Sequence, residues 1–184
     1  MDDELDLLKR TLAAAQADQQ TVSAEGVDLR QTIHGQTMHD SVIHTDDRGT
    51  VAEMFDTRWN WHPDPIEFVY YFSIRPGAAK GWGLHQRHED RYFLLRGEMK
   101  LVLYDVRPES PTCGQVSELY LTESRPRLIN IPAFVWHADL NIGDREALVV
   151  NFPTIQYDHR APDKLRLPLD TDLIPYDFGG IVGW

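Results

Sequence analysis

From about residue 37 onward the chain alternates apolar and polar positions over short distances. Runs rich in Val, Ile, Leu, Tyr and Phe cover residues 50–56, 66–75, 91–95, 98–106, 116–122, 128–131 and 146–152. This composition suits pleated strands packed on at least one face. Turn-forming residues separate the runs: Arg75-Pro76-Gly77, Arg96-Gly97, the stretch 108–114, and Gly143-Asp144. Within 98–106, Met99, Leu101 and Leu103 alternate with Lys100, Val102 and Tyr104, so both faces are substantially apolar. Such a strand is expected between two layers or at a subunit contact. Many short strands with Gly and Pro punctuation predict a mainly β fold, a sandwich or jelly roll.

The two ends read differently. Residues 2–20 predict a helix, because Leu5, Leu8, Leu12 and Ala15 form one stripe and acids lead Lys9 and Arg10. The stripe is narrow, so the helix is expected to dock on the domain or on a second subunit. Residues 21–36 are polar and contain Gly26 and Gly35, as in a linker. The expected division is an arm over 1–36 and a barrel over 37–184. After Pro153 the chain carries Pro162, Pro168 and Pro175, which predict an extended wrap around the barrel.

Bulk properties narrow the function. A length of 184 residues suits one domain with a proper core. The formal charge of −11, from 29 acidic and 18 basic side chains, argues against nucleic acid as a partner. A small anion is still compatible, since a few inward-pointing cations can hold a diphosphate. No apolar run is long enough for a membrane span, and the acidic start does not read as a leader. The single Cys113 allows no internal disulfide, so the expected location is cytoplasmic.

Two segments carry the candidate chemistry. Residues 83–97 hold His85, His88 and Asp90, and residues 131–141 hold His137. Each sets histidine beside strand-like apolar residues, so a barrel can aim these side chains into one cavity. The cluster would then serve proton transfer or bind a metal.

At these residues the chain resembles the dTDP-4-dehydrorhamnose 3,5-epimerases, the nucleotide-sugar branch of the cupins, from about His44 to Phe178. Four stretches carry the resemblance: Asp46 to Glu53 with Arg48-Gly49, Glu67 leading to Gly83-Leu84-His85, Asp105 to Thr112 followed by Gly114, and Ile131-Pro132 leading to His137. The resemblance implies a double-stranded β-helix barrel, a homodimer, and a nucleotide-linked 4-keto-6-deoxy sugar as substrate, with no cofactor. It makes His85 the general base, assigns Arg48 to the diphosphate or ribose side, lays Glu53 along the nucleotide and places His137 in the sugar pocket. An imidazole suits a base that must titrate near neutrality, and the enolate needs a positive or hydrogen-bonding partner.

Several positions depart from the family pattern. Its pocket lysine falls on Asp90, and its acid tyrosine on Val150 followed by Asn151. The arginine before the catalytic histidine is Trp82, and two nucleotide-facing amides become Tyr70 and Phe72. The chain stops at Trp184, ahead of the segment that supplies the histidine's aspartate partner. Tyr92 shares the parity of Asp90 and is expected to serve as a substitute acid. Trp82, His88 and Asp90 join the expected substrate-binding set. Metal-binding cupins suggest an alternative in which His85, Asp90 and His137 hold Zn, Fe or Mn for chemistry on a small polar substrate. In that pattern Gly83 replaces a leading histidine and Phe134 a glycine. A non-catalytic sugar-nucleotide-binding cupin is the remaining alternative.

Overall fold

Gly97 carries the chain from one sheet into the other. It has φ +90°, and a Cβ there would lie 3.0 Å from Ala147 Cα, so the left-handed turn and the close approach both call for glycine. Strand β6 (Asp90–Arg96) ends before it and β7 (Glu98–Asp105) begins after it. A computed structural model describes residues 2–26, 28–30, 32–181 and 183. Residues 27 and 31, within the predicted arm, lie outside the described residues.

The chain forms two compact units, residues 1–31 and residues 32–184. In the first, α1 spans Asp2–Ala14. It stops short of the predicted residue 20 because no apolar residue continues the stripe beyond Ala15. Leu5, Leu8 and Leu12 are exposed. Val22 and Asp28 form a single antiparallel bridge.

The second unit is the expected cupin barrel. One sheet has the order β1 (Met38–Asp40), β9 (Arg127–Ile131), β6, β11 (Ala147–Asn151), β4 (Tyr70–Ile74). The facing sheet has the order β12 (Leu165–Arg166), β5 (Ala79–Leu84), β10 (Val135–Asn141), β7, β8 (Val116–Thr122). A separate hairpin pairs β2 (Ile43–Asp46) with β3 (Gly49–Ala52).

The double apolar character of β7 now has a cause. Met99, Leu101 and Leu103 enter the core between the sheets, with Tyr92, Leu94 and Ile129. Val102 and Tyr104 face outward into a second apolar layer supplied by Trp82 and by Leu169, Ile174 and Phe178 of the C-terminal wrap. A third cluster, Phe93, Leu128 and Phe152, packs outside the other sheet with Trp59 and Trp61.

Arg91 anchors that third region. It is fully buried, and its guanidinium donates to the carbonyls of Phe152, Asp64 and Pro65 at 2.5, 2.7 and 2.7 Å. A fourth bond, 3.2 Å long, goes to the carbonyl of Pro153. The buried charge is thus met by four oxygens from two separate segments.

The Asp105–Thr112 motif is a turn braced by its own side chains and by the backbone of His34. Asp105 accepts hydrogen bonds from Arg107 Nη2 at 2.7 Å and from the hydroxyls of Ser110 and Thr112 at 2.6 Å each. Burial would raise this carboxyl, but the bonds from Arg107, Ser110 and Thr112 outweigh it and hold the group far below its usual range.

Candidate active site

The site grows from strand parity. On β10, His137, Asp139 and Asn141 are buried and share the inward face, while Ala138 and Leu140 join the outer layer. On β6, Asp90, Tyr92 and Leu94 point inward. His85 lies just past the end of β5, and the turn before β10 is tied to it by the Phe134 N–H, which donates to the His85 carbonyl at 2.8 Å. Phe134 adopts φ +59° there, so the left-handed backbone persists although no glycine occupies the position.

Asp90 is the hub. Its Oδ2 lies 3.1 Å from His85 Nε2, without hydrogen-bond alignment, and 3.7 Å from His137 Nε2. The Tyr92 hydroxyl donates to the same oxygen at 3.4 Å. Its Oδ1 accepts from Asn151 Nδ2 at 2.7 Å and lies 3.6 Å from His88 Nε2. Burial opposes a charge on Asp90, but the His85 and His88 imidazoles outweigh it and hold the carboxyl well below its ordinary value.

The C-terminal wrap fixes the imidazoles. His85 Nδ1 bonds to the main-chain carbonyl of Asp163. A carbonyl only accepts, so Nδ1 carries the hydrogen and Nε2 is the basic nitrogen of neutral His85. The Asp163 carboxylate takes His88 Nδ1 at 2.8 Å. Burial alone would lower His88, but Asp90 and Asp163 raise it above its ordinary value. His137 faces the other way electrostatically: burial, then Lys164, pushes it down to about 3. Asp139 is buried with Oδ1 unpartnered, and burial raises it to about 7.

Two adjoining cavities open beside this cluster. The larger, about 330 Å³, has aromatic walls from Phe68, Tyr70, Phe72 and Tyr92. His137 and Asp139 line it as well, with Lys80, Lys164 and Arg166 as its cations. The smaller, about 220 Å³, is lined by His85, His88 and Asp163. Phe68, Tyr70, Tyr157 and Lys164 belong to both walls. Gly83 makes room for this arrangement: a Cβ on it would lie 2.9 Å from Lys164 Cε, 3.2 Å from Lys164 Nζ and 3.1 Å from His137 Nε2. The two nitrogens therefore flank one gap too tight for a methyl group. Among the described residues Lys164 has no ion-pair partner.

A family model described as dTDP-4-dehydrorhamnose 3,5-epimerase matches residues 30–173. The chain belongs to that family. It is 34% identical over 147 residues to a probable low-salt glycan biosynthesis epimerase, Agl13, of Haloferax volcanii, covering 79% of this chain and 94% of that protein. A solved dTDP sugar isomerase from Desulfovibrio desulfuricans superposes with a TM-score of 0.74 at 26% identity, over 80% of this chain and 93% of that one. The 3'-monoepimerase ChmJ of Streptomyces bikiniensis, solved with dTDP-quinovose, shares the fold, with a TM-score of 0.71 at 24% identity over 84% and 81% of the chains. The protein is thus an epimerase-type cupin of the nucleotide-sugar class.

Within the epimerase family frame, the structure brings His85, His88, Asp90, Tyr92 and His137 together. Four expected contacts line neither cavity, and of these only Asp90 belongs to the cluster. Trp82 is fully buried on the opposite face of β5, against Phe178 at a ring separation of 5.4 Å. Its parity is opposite to that of Gly83 and His85, a signal the sequence already contained. Arg48 sits exposed in the hairpin turn, paired with Asp46 at 2.5 Å, and Glu53 ends that hairpin with its N–H on the Val42 carbonyl. The metal set also changes: His85, His88 and Asp90 converge within 4.8 Å, and His137 is not part of that group. The sequence places Tyr70 at a nucleotide-facing position but gives Asp139, Asp163 and Lys164 no functional role. Asp139 shares the parity of His137, whereas Asp163 and Lys164 come from the wrap and gave no local signal.

Proposed function

We propose that this protein epimerises a nucleotide-linked 4-keto-6-deoxy sugar by removing the acidified proton beside the ketone, with His85 as base. One observation carries the reading: His85 is held through Nδ1 by the Asp163 carbonyl, leaving Nε2 beside the Asp90 carboxylate. When Nε2 takes a proton, Asp90 stabilises the imidazolium. An acid at position 90 therefore assists the base although it cannot assist the enolate. The positive partner for the enolate oxygen is Lys164, which enters from the wrap and lines both cavities. Lys80 and Arg166 supply charge for the diphosphate. The ChmJ complex with dTDP-quinovose supports a dTDP-linked sugar as the probe. A cytoplasmic homodimer belongs to the same reading.

The test is incubation with a dTDP-linked 4-keto-6-deoxyhexose in deuterated water. Deuterium should enter the carbon next to the ketone, and His85→Asn should abolish its entry with the fold intact. No deuterium, together with a thermal shift by dTDP, would replace the enzyme with a binding protein.

One observation favours a second reading, a metal-dependent enzyme. His85 and His88 both engage Asp163 through Nδ1 and turn Nε2 toward Asp90, the arrangement that outer partners impose on metal-ligating histidines. Against it, Asp90 already accepts from Asn151 and Tyr92. Elemental analysis of chelator-free protein showing well below one equivalent of metal would end that reading.

A further inference from the structure

Inversion at a carbon needs a second proton-transfer group besides the base. The reading above leaves that group unassigned, and the inference here rests on it. The position where the family resemblance expects a tyrosine holds Val150 and Asn151. Val150 packs outward against the Phe93 cluster, and Asn151 points inward. Asn151 pairs across the sheet with Tyr70 on β4 and with Tyr92 on β6. Asn151 Nδ2 donates to the Tyr70 hydroxyl at 2.8 Å and to Asp90 Oδ1 at 2.7 Å. A phenol from the adjacent strand thus stands at the tip of the asparagine.

The two candidate phenols differ in what their hydroxyls do. Tyr92 spends its proton on Asp90, 3.4 Å away. The Tyr70 oxygen accepts from Asn151, so its own O–H is left to donate elsewhere. Tyr70 also lines both cavities, whereas His85 lines only the smaller one.

We propose that Tyr70 is the catalytic acid of this site, delivering a proton to the carbon that His85 has deprotonated, from the face away from His85. In the first half, the C–H bond breaks, the proton goes to His85 Nε2 and the electron pair forms the enolate. In the second half, the enolate carbon takes the Tyr70 hydroxyl proton and the ketone re-forms. The phenolate, held by the Asn151 amide, regains a proton from water, and the imidazolium returns one to water. Burial raises Tyr70 well above its ordinary value, so the phenol keeps its proton until the enolate arrives.

The test compares wild type with Tyr70→Phe, using the same keto sugar in deuterated water, and reads deuterium entry and inversion separately. In Tyr70→Phe, inversion should fall by about 100-fold or more. Deuterium should still enter with retention, since His85 can return a solvent-derived proton to the same face. The dissociation constant for dTDP should stay within about threefold. Inversion at the wild-type rate, or a joint loss of exchange, inversion and dTDP binding, would overturn the assignment. So would Tyr92→Phe giving exchange without inversion while Tyr70→Phe does not. Wild-type protein that exchanges no proton would remove the epimerase reading itself, and the acid role with it.

Discussion

His137 and Asp139 stand two residues apart on the inward face of β10, and burial drives them in opposite directions, His137 down to about 3 and Asp139 up to about 7. Both are therefore uncharged between those values. A neutral imidazole and a neutral carboxyl suit a cavity whose charge comes from Lys80, Lys164 and Arg166. The cavity walls thus offer positive charge to an anionic ligand, although the whole chain carries −11.

The pair predicts two stability profiles of opposite slope. Asp139→Asn leaves His137, whose folded value lies below its unfolded one. Its contribution is complete above about pH 6.5 and is lost as pH falls toward 3. His137→Gln leaves Asp139, which keeps its proton in the folded state up to about 7 and loses it near 3.8 when unfolded. Stability of that variant should fall as pH rises between those values. Each slope approaches about 1.4 kcal/mol per pH unit, and urea denaturation from pH 4 to 7 reads both. Parallel slopes would contradict the opposed shifts.

Lys164→Met should lower the saturating rate of proton exchange by about 100-fold or more, because an oxyanion loses its charged partner. Affinity for dTDP should change little. A rise in the dTDP dissociation constant at unchanged saturating rate would instead place Lys164 on the diphosphate.

Gly83→Ala tests the same contact from the other side. The added methyl meets Lys164 Cε at 2.9 Å and His137 Nε2 at 3.1 Å. The flexible lysine should yield, so the fold survives with a loss of under about 1 kcal/mol, while exchange slows at least tenfold. Wild-type kinetics in this variant would show that the gap between the two nitrogens has no catalytic role.

Arg91→Leu should cost about 3 kcal/mol or more, since four carbonyls, those of Phe152 and Pro153 buried, lose a charged donor together. The shift in urea midpoint measures it. A loss below about 1 kcal/mol would mean that water replaces the guanidinium there.

Much of the barrel was legible because its strands obey ordinary chemistry. Residues 116–122 match β8 as predicted, and 98–106 match β7 to within one residue. The runs 50–56 and 66–75 shorten to β3 and β4. Strands β5 and β10 were harder to read as strands, for a physical reason. β5 carries two glycines and a lysine, and β10 turns His137, Asp139 and Asn141 inward, reversing the usual apolar-inside pattern. The clustering of His85, Asp90 and His137 was visible because two strand-and-turn segments, residues 83–97 and 131–141, carry all three. The relation of Tyr70 to Asn151 was not, because it depends on cross-strand register between positions 81 residues apart. Lys164 and Asp163 were hidden similarly, in a proline-punctuated tail whose path no local periodicity encodes.

That tail has a consequence for when the protein becomes competent. Tyr157, Asp163 and Lys164 wall the smaller cavity, and all lie beyond β11, after every strand of the barrel except the two-residue β12. The cavity wall is therefore complete only once the tail has paired with β5 through β12, so undocking the tail would open the histidine cluster to water.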